Sequence, residues 1–183
     1  MLPGPTVKNV TGFDLPRLLT GSLGTLGLIG EVILRTNPLP ACSRWVCASA
    51  VDPFLTHDTL TRCGAVLWDG ANTWVLLEGH AAEVDELLRR ISRLGRFDEV
   101  DGAPSLPPNR WSLEPAVLRT LTTADGPHVT GRFVASVGTG VVLAERPQPQ
   151  RAQDPAVQLV SARIKSEFDP TGRLNPGRNP VDR

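Results

Sequence analysis

The segment Gly21-Ser22-Leu23-Gly24-Thr25-Leu26-Gly27 sets three glycines at every third position, with a hydroxyl side chain in each interval. Glycine lets a backbone take positive φ and lets another surface come close to the main chain. Peptide N–H groups, peptide carbonyls and two hydroxyls are therefore offered to a ligand. The same spacing also serves a tight turn or a bulge ahead of a strand. Neither G-x-G-x-x-G nor G-x-x-x-x-G-K-[ST] occurs here, so the segment is not a dinucleotide fingerprint or a Walker A loop.

Other reactive side chains are sparse. Cys42, Cys47 and Cys63 are odd in number and lack C-x-x-C spacing, which argues against a disulfide framework and against a zinc or iron-sulfur site. His57, His80 and His128 are scattered singly, so no metal site is assigned and no catalytic base can be named. No Ser-His-Asp or Cys-His arrangement is readable either.

Composition narrows the class. In 183 residues, 19 basic and 19 acidic side chains cancel and 40% of residues are hydrophobic, which fits an ordinary globular chain without bias toward nucleic acid or anionic lipid. No apolar run reaches the ~18 residues of a membrane span, and the N-terminus lacks a signal-peptide core. The expectation is a cytoplasmic chain, with peripheral attachment to an inner membrane through partners left open.

The glycine segment has company that carries a resemblance. Lys8-Asn9-Val10-Thr11-Gly12-Phe13-Asp14-Leu15, Arg17-Leu18, the glycines, Glu31-Val32-Ile33-Leu34 and Pro38-Leu39-Pro40 follow one another. At the far end stands Lys165-Ser166-Glu167-Phe168-Asp169-Pro170-Thr171-Gly172-Arg173-Leu174-Asn175-Pro176-Gly177-Arg178. In this order the two stretches resemble FAD-linked oxidases of the vanillyl-alcohol oxidase and p-cresol methylhydroxylase (PCMH) superfamily. Many relatives carry Glu where Leu23 stands, and the Leu form is more similar to the FAD-binding subunits of glycolate oxidases.

The resemblance implies an α+β chain: the end of a PCMH-type FAD-binding domain over residues 1–40, a ferredoxin-like cap or substrate domain over 41–150, and a helix and tail over 151–183 that return to the flavin domain. It implies FAD as cofactor, with Thr11, Gly12, Ser22, Gly24, Thr25, Leu26, Gly27, Leu28 and Ile29 as flavin-nucleotide contacts, joined by Asn175 and Arg178 from the tail. Asn175-Pro176-Gly177 also suits a plain turn. The family's pyrophosphate loop precedes the stretch that opens this chain, so the resemblance implies a C-terminal half whose FAD binding alone is weak or partner-dependent.

Hydride removal from a small 2-hydroxy acid would be the flavin's own chemistry. The implied partners are a second flavoprotein subunit and an iron-sulfur subunit. The alternative is a partner or assembly subunit that binds no FAD alone.

The elements that must position these residues are legible in outline. Thr6 to Val10 suits a strand, Phe13 to Leu19 a helical turn, and Leu26 to Arg35 a buried strand stopped by Asn37-Pro38. Ser43 to Val51 suits a strand, and Asp52-Pro53 starts a helix through Arg62. Ala65 to Trp68 and Thr73 to Glu78 form a hairpin about Asp69-Gly70. In Ala81 to Leu94 the residues Val84, Leu87, Leu88, Ile91 and Leu94 make one helical face, with Asp85-Arg89 and Glu86-Arg90 pairs outside.

Arg96 to Val100 completes a strand-helix-strand-strand-helix-strand unit. An RNA-recognition module shares that order, but the chain has no tyrosine and no net charge. Beyond a Pro-rich loop to Asn109, a helical turn is expected around Trp111 to Leu121. A hairpin of Phe133 to Val137 and Gly140 to Ala144 follows, then a linker and a helix capped by Asp154, with Val157, Val160, Ile164 and Phe168 as its apolar face.

Overall fold

A computed structural model of the chain describes residues 14–34, 36–60, 62–122, 126–127, 129–149 and 154–178. The fold is α+β, with one open antiparallel sheet and a C-terminal helix. It divides into two compact units, one of residues 38–148 and one joining residues up to 37 with those from 149.

The larger unit begins with strand β1 (Cys42–Ser49). Helix α2 (Pro53–Thr59) follows, its first-turn amides capped by Asp52 Oδ1, which accepts from Phe54 N at 2.8 Å and Leu55 N at 3.1 Å. It stops three residues before the expected Arg62, because Leu60 turns to an extended backbone and buries its side chain in the core.

Strands β2 (Ala65–Trp68) and β3 (Asn72–Gly79) pair as a hairpin. Asp69 Oδ1 accepts from Ala71 N and Asn72 N at 2.9 and 2.6 Å, while Gly70 takes φ +99°. That is the turn chemistry the Asp-Gly pair predicts.

Helix α3 (Ala81–Ile91) buries Val84, Leu87 and Ile91. Its last expected turn, through Leu94, runs on as turns rather than helix. The Glu86-Arg90 pair forms at 3.0 Å, but Asp85 reaches across to Arg44 at 3.1 Å and Arg89 takes Glu86 at 2.7 Å. A cross-element arginine within reach displaced the expected local Asp85-Arg89 pair.

Strand β4 (Asp98–Val100) joins the far edge of β1. At the other edge, β2 pairs with β6 (Phe133–Ser136), β6 with β7 (Val141–Ala144), and β7 with β5 (Asn109–Ser112). The sheet order is β4-β1-β3-β2-β6-β7-β5.

Strand β5 corrects the sequence reading, which placed Trp111 in a helical turn. Trp111 is buried, pairs with Val142 and donates its indole N–H to Arg146 O at 2.7 Å. The helical turn is real but starts later, as a 3-10 helix over Pro115–Thr120. Four residues paired to a strand thirty positions on leave little periodicity to read.

One core fills this unit: Val46, Val66, Val75 and Leu77 from the sheet meet Val84, Leu87 and Ile91 of α3, and Trp68, Phe133, Leu118 and Val142 continue it. Trp68 stands edge-on between Phe54 and Phe133, with ring centroids 5.8 and 5.6 Å away.

The smaller unit holds α1 (Leu15–Leu19) and α4 (Pro155–Phe168). Asp154 Oδ1 accepts from Ala156 N at 2.8 Å and Pro155 opens α4, as the sequence predicts. The expected strand at Thr6 to Val10 lies outside the described residues.

The buried strand expected from Leu26 is absent. Residues 26–34 form no strand, and Leu28, Val32, Ile33 and Leu34 are exposed. A strand exists only where a neighbour accepts its ladder, and no described strand lies beside this segment. The apolar face read for α4 is likewise uncovered: Val157, Val160 and Phe168 are all exposed and Ile164 is half-buried.

Candidate functional site

The glycine segment starts where α1 runs out. Asp14 Oδ1 caps α1 through Arg17 N at 3.1 Å, and at Thr20 the backbone turns extended. Gly21, Leu23 and Gly24 then take φ of +81°, +55° and +75°. Glycine accepts that region readily, whereas Leu23 sits there against its preference. A Cβ built on Gly24 would meet nothing within 4 Å, so the space beside that peptide is open.

Two hydroxyl residues pin the turn from inside. Ser22 and Thr25 are buried, and Ser22 O accepts both Thr25 N at 3.0 Å and Thr25 Oγ1 at 2.7 Å. Ser22 N in turn donates to Leu19 O at 3.1 Å.

The tail comes to the same place. Helix α4 ends at Asp169, whose carboxylate is 3% exposed and organises the chain that follows. Its Oδ1 accepts from Arg173 N at 3.1 Å and Thr171 Oγ1 at 3.3 Å, and its Oδ2 from Leu174 N at 2.8 Å. The hydrogen bond from Lys165 Nζ to Oδ2, at 2.6 Å, is the main reason the carboxyl is held well below the usual carboxylate range, with the Leu174 and Arg173 amides adding to it.

Lys165 Nζ spends its other hydrogens on Thr25 O at 2.6 Å and Leu174 O at 2.9 Å. Asn175, at φ +46°, donates Nδ2 to Leu23 O at 2.7 Å. Two side chains of the C-terminal stretch thus grip two carbonyls of the glycine segment.

Of the residues singled out from sequence, Ser22, Gly24, Thr25, Leu26 and Gly27 lie in this turn and Asn175 lies against it. Leu28 and Ile29 continue outward, exposed. Arg178 closes the tail through its own N–H to Asn175 O at 3.3 Å. Thr11 and Gly12 lie outside the described residues. Sequence reasoning gave Lys165 and Asp169 no role in the site; their i,i+4 spacing was a usable signal for the pair they make with each other.

The cysteines lie elsewhere. Burial raises the Cys63 thiol, and burial with the carboxylates of Asp69 and Asp98 raises that of Cys47. Neither has the electropositive setting of a reactive thiolate. Among the described residues no three His, Cys, Asp or Glu side chains are placed to hold a metal ion, and no helix is long and apolar enough to cross a membrane.

With the two stretches joined, comparison with known proteins bears directly on the site. The chain is similar to a glycolate oxidase subunit. Glycolate oxidase subunit GlcE of Escherichia coli (strain K12) is 28% identical over 211 residues, an alignment covering 96% of this chain. The chain spans 59% of that protein's length. No family model matches the chain, and no solved structure matches it.

Proposed function

We propose that this chain is an FAD-binding subunit, or the C-terminal part of one, in a 2-hydroxy-acid oxidoreductase of the glycolate oxidase kind. The observation that carries the reading is the junction of Leu23 and Thr25 with Asn175 and Lys165. The two stretches that resemble PCMH-type FAD-linked oxidases are hydrogen-bonded to one another, and the similarity to GlcE points the same way.

The residues present fit a flavin nucleotide. Gly24 has open space beside its peptide, and the N–H groups of Gly24, Leu26, Gly27, Leu28 and Ile29 donate to no other described group. Ser22, Thr25, Asn175 and Arg178 would border the nucleotide, with Thr11 and Gly12 as neighbours. When bound, FAD would supply the hydride acceptor for oxidation of the substrate's 2-carbon. This chain's own residues bind and orient.

In this reading residues 1–40 close a PCMH-type FAD-binding domain, and residues 151–183 return to it. Residues 41–150 would be the cap or substrate domain. The order β4-β1-β3-β2, with α2 and α3 as crossovers, supports a ferredoxin-like unit for the cap, extended here by β6, β7 and β5. A second flavoprotein subunit and an iron-sulfur subunit are the proposed partners, in the cytoplasm or held at the inner membrane by those partners.

The exposed apolar side chains of residues 28–34 favour a second reading, a non-catalytic partner or assembly subunit that binds no FAD alone. Anaerobic mixing of the FAD-supplemented chain with glycolate, alone and with a glycolate-oxidising flavoprotein, separates the two. Bleaching of flavin bound to this chain supports the first reading. Bleaching confined to the partner's flavin leaves the assembly role.

A further inference from the structure

We infer that Lys165 is a positioning residue for the glycine segment: by binding the carbonyl side of the turn, it leaves the amide N–H side for the ligand. This deepens the flavin reading above and rests on it. Ser22 O is taken by Thr25 N and Oγ1, Leu23 O by Asn175 Nδ2, and Thr25 O by Lys165 Nζ. Three of the four carbonyls from Ser22 to Thr25, in a turn rich in positive φ, are thus pinned by side chains or by the turn itself, all within one compact unit.

The amide side is different. Leu23, Gly24, Leu26, Gly27, Leu28 and Ile29 donate their N–H groups to no other described group. A segment so divided recognises a ligand edge that carries acceptors, such as a phosphate, a ribityl hydroxyl oxygen or a ring carbonyl, and disfavours one that carries donors.

Lys165 itself is not free to touch that ligand. An ammonium has three donors and no acceptor, and all three are spent, on Thr25 O, Leu174 O and Asp169 Oδ2. Asp169 also offsets its charge at 2.6 Å. Lys165 therefore acts through the geometry of the Thr25 peptide, not by adding net positive charge to the site.

The test uses the full chain, with two readouts on the parent, Lys165→Ala and Lys165→Met. One is hydrogen exchange at the amides of residues 21–29; the other is FAD titration by flavin fluorescence. Both variants should speed exchange of the Thr25 amide and weaken FAD binding about tenfold or more. Ethylammonium, which restores N–H donors in the space left by Lys165→Ala, should recover both, and tetramethylammonium, which has none, should recover neither.

Unchanged exchange at Thr25 in both variants overturns the inference, as does a loss that ethylammonium fails to recover in a variant that keeps its helical circular dichroism. Should the parent bind no FAD, the flavin reading fails, and the positioning role is still decided by the exchange data. If the parent binds and Lys165→Met binds equally well, the flavin reading stands and the positioning role falls.

Discussion

Lys165 Nζ lies 2.6 Å from the Thr25 carbonyl oxygen and 2.6 Å from Asp169 Oδ2, so one ammonium ties the glycine segment to the C-terminal tail across 140 residues of chain. Thr25 and Asp169 are both buried there. The Lys165-Asp169 ion pair rigidifies only while both charges are present, because removing Lys165 strands the Asp169 carboxylate in a desolvated position.

That relationship sets a pH dependence. The folded-state pKa of Asp169 is depressed, chiefly by the Lys165 hydrogen bond. Its contribution is therefore complete above the unfolded value of about 4 and is lost as pH falls below it toward the folded value. The protection of the Arg173 and Leu174 amides against exchange, followed from pH 6 to pH 3, should fall only at the acid end. Asp169→Asn should already be opened at pH 6 and nearly flat across the range; an unaltered profile would contradict the assignment.

The core of the larger unit should bear large truncations badly. Leu77 on β3 is fully buried among Val46, Val84 and Ile91, and Leu77→Ala should cost about 2–5 kcal/mol through lost burial and a residual cavity. Leu28 is 94% exposed, and Leu28→Ala should change stability by no more than about 0.5 kcal/mol. Urea denaturation followed by the fluorescence of buried Trp68 and Trp111 measures the first; equal effects of the two substitutions would contradict the packing described.

The uncovered apolar side chains predict association. Leu28 is 94%, Leu34 76% and Ile33 66% exposed, and Leu159 on α4 is 74% exposed. A purified chain should show concentration-dependent self-association on size-exclusion chromatography. The double substitution Ile33→Asp, Leu34→Asp should shift it toward monomer. A parent that stays monomeric at every concentration would mean that these residues find cover within the chain.

How far the sequence led depends on how local each signal was. The hairpin at Asp69-Gly70, the α3 face of Val84, Leu87 and Ile91, and the Asp154-Pro155 start of α4 rest on neighbours within a turn or two, and each was legible. Strand β5 and the segment from Leu26 to Leu34 depend on distant partners. The first has one in β7, which periodicity over four residues did not announce; the second has none among the described residues, so its β-branched composition misled.

The candidate site divides in the same way. Gly21, Gly24 and Gly27 advertise the turn, and resemblance pointed to Asn175. What could not be read was that Lys165 and Asp169 join the two, since nothing in the spacing of either stretch specifies a contact with the other.

The most direct measurement is titration of the chain with FAD, followed by flavin fluorescence, for the parent and for Gly24→Val. Gly24 sits at φ +75°, where a β-branched residue is strained, and valine would also fill the open space beside the peptide. Main-chain donors contribute about 1 kcal/mol net each, so binding should be saturable, about micromolar or weaker in the parent, and lost in Gly24→Val. No saturable binding by the parent, or a Gly24→Val chain that binds as well as the parent, would contradict it.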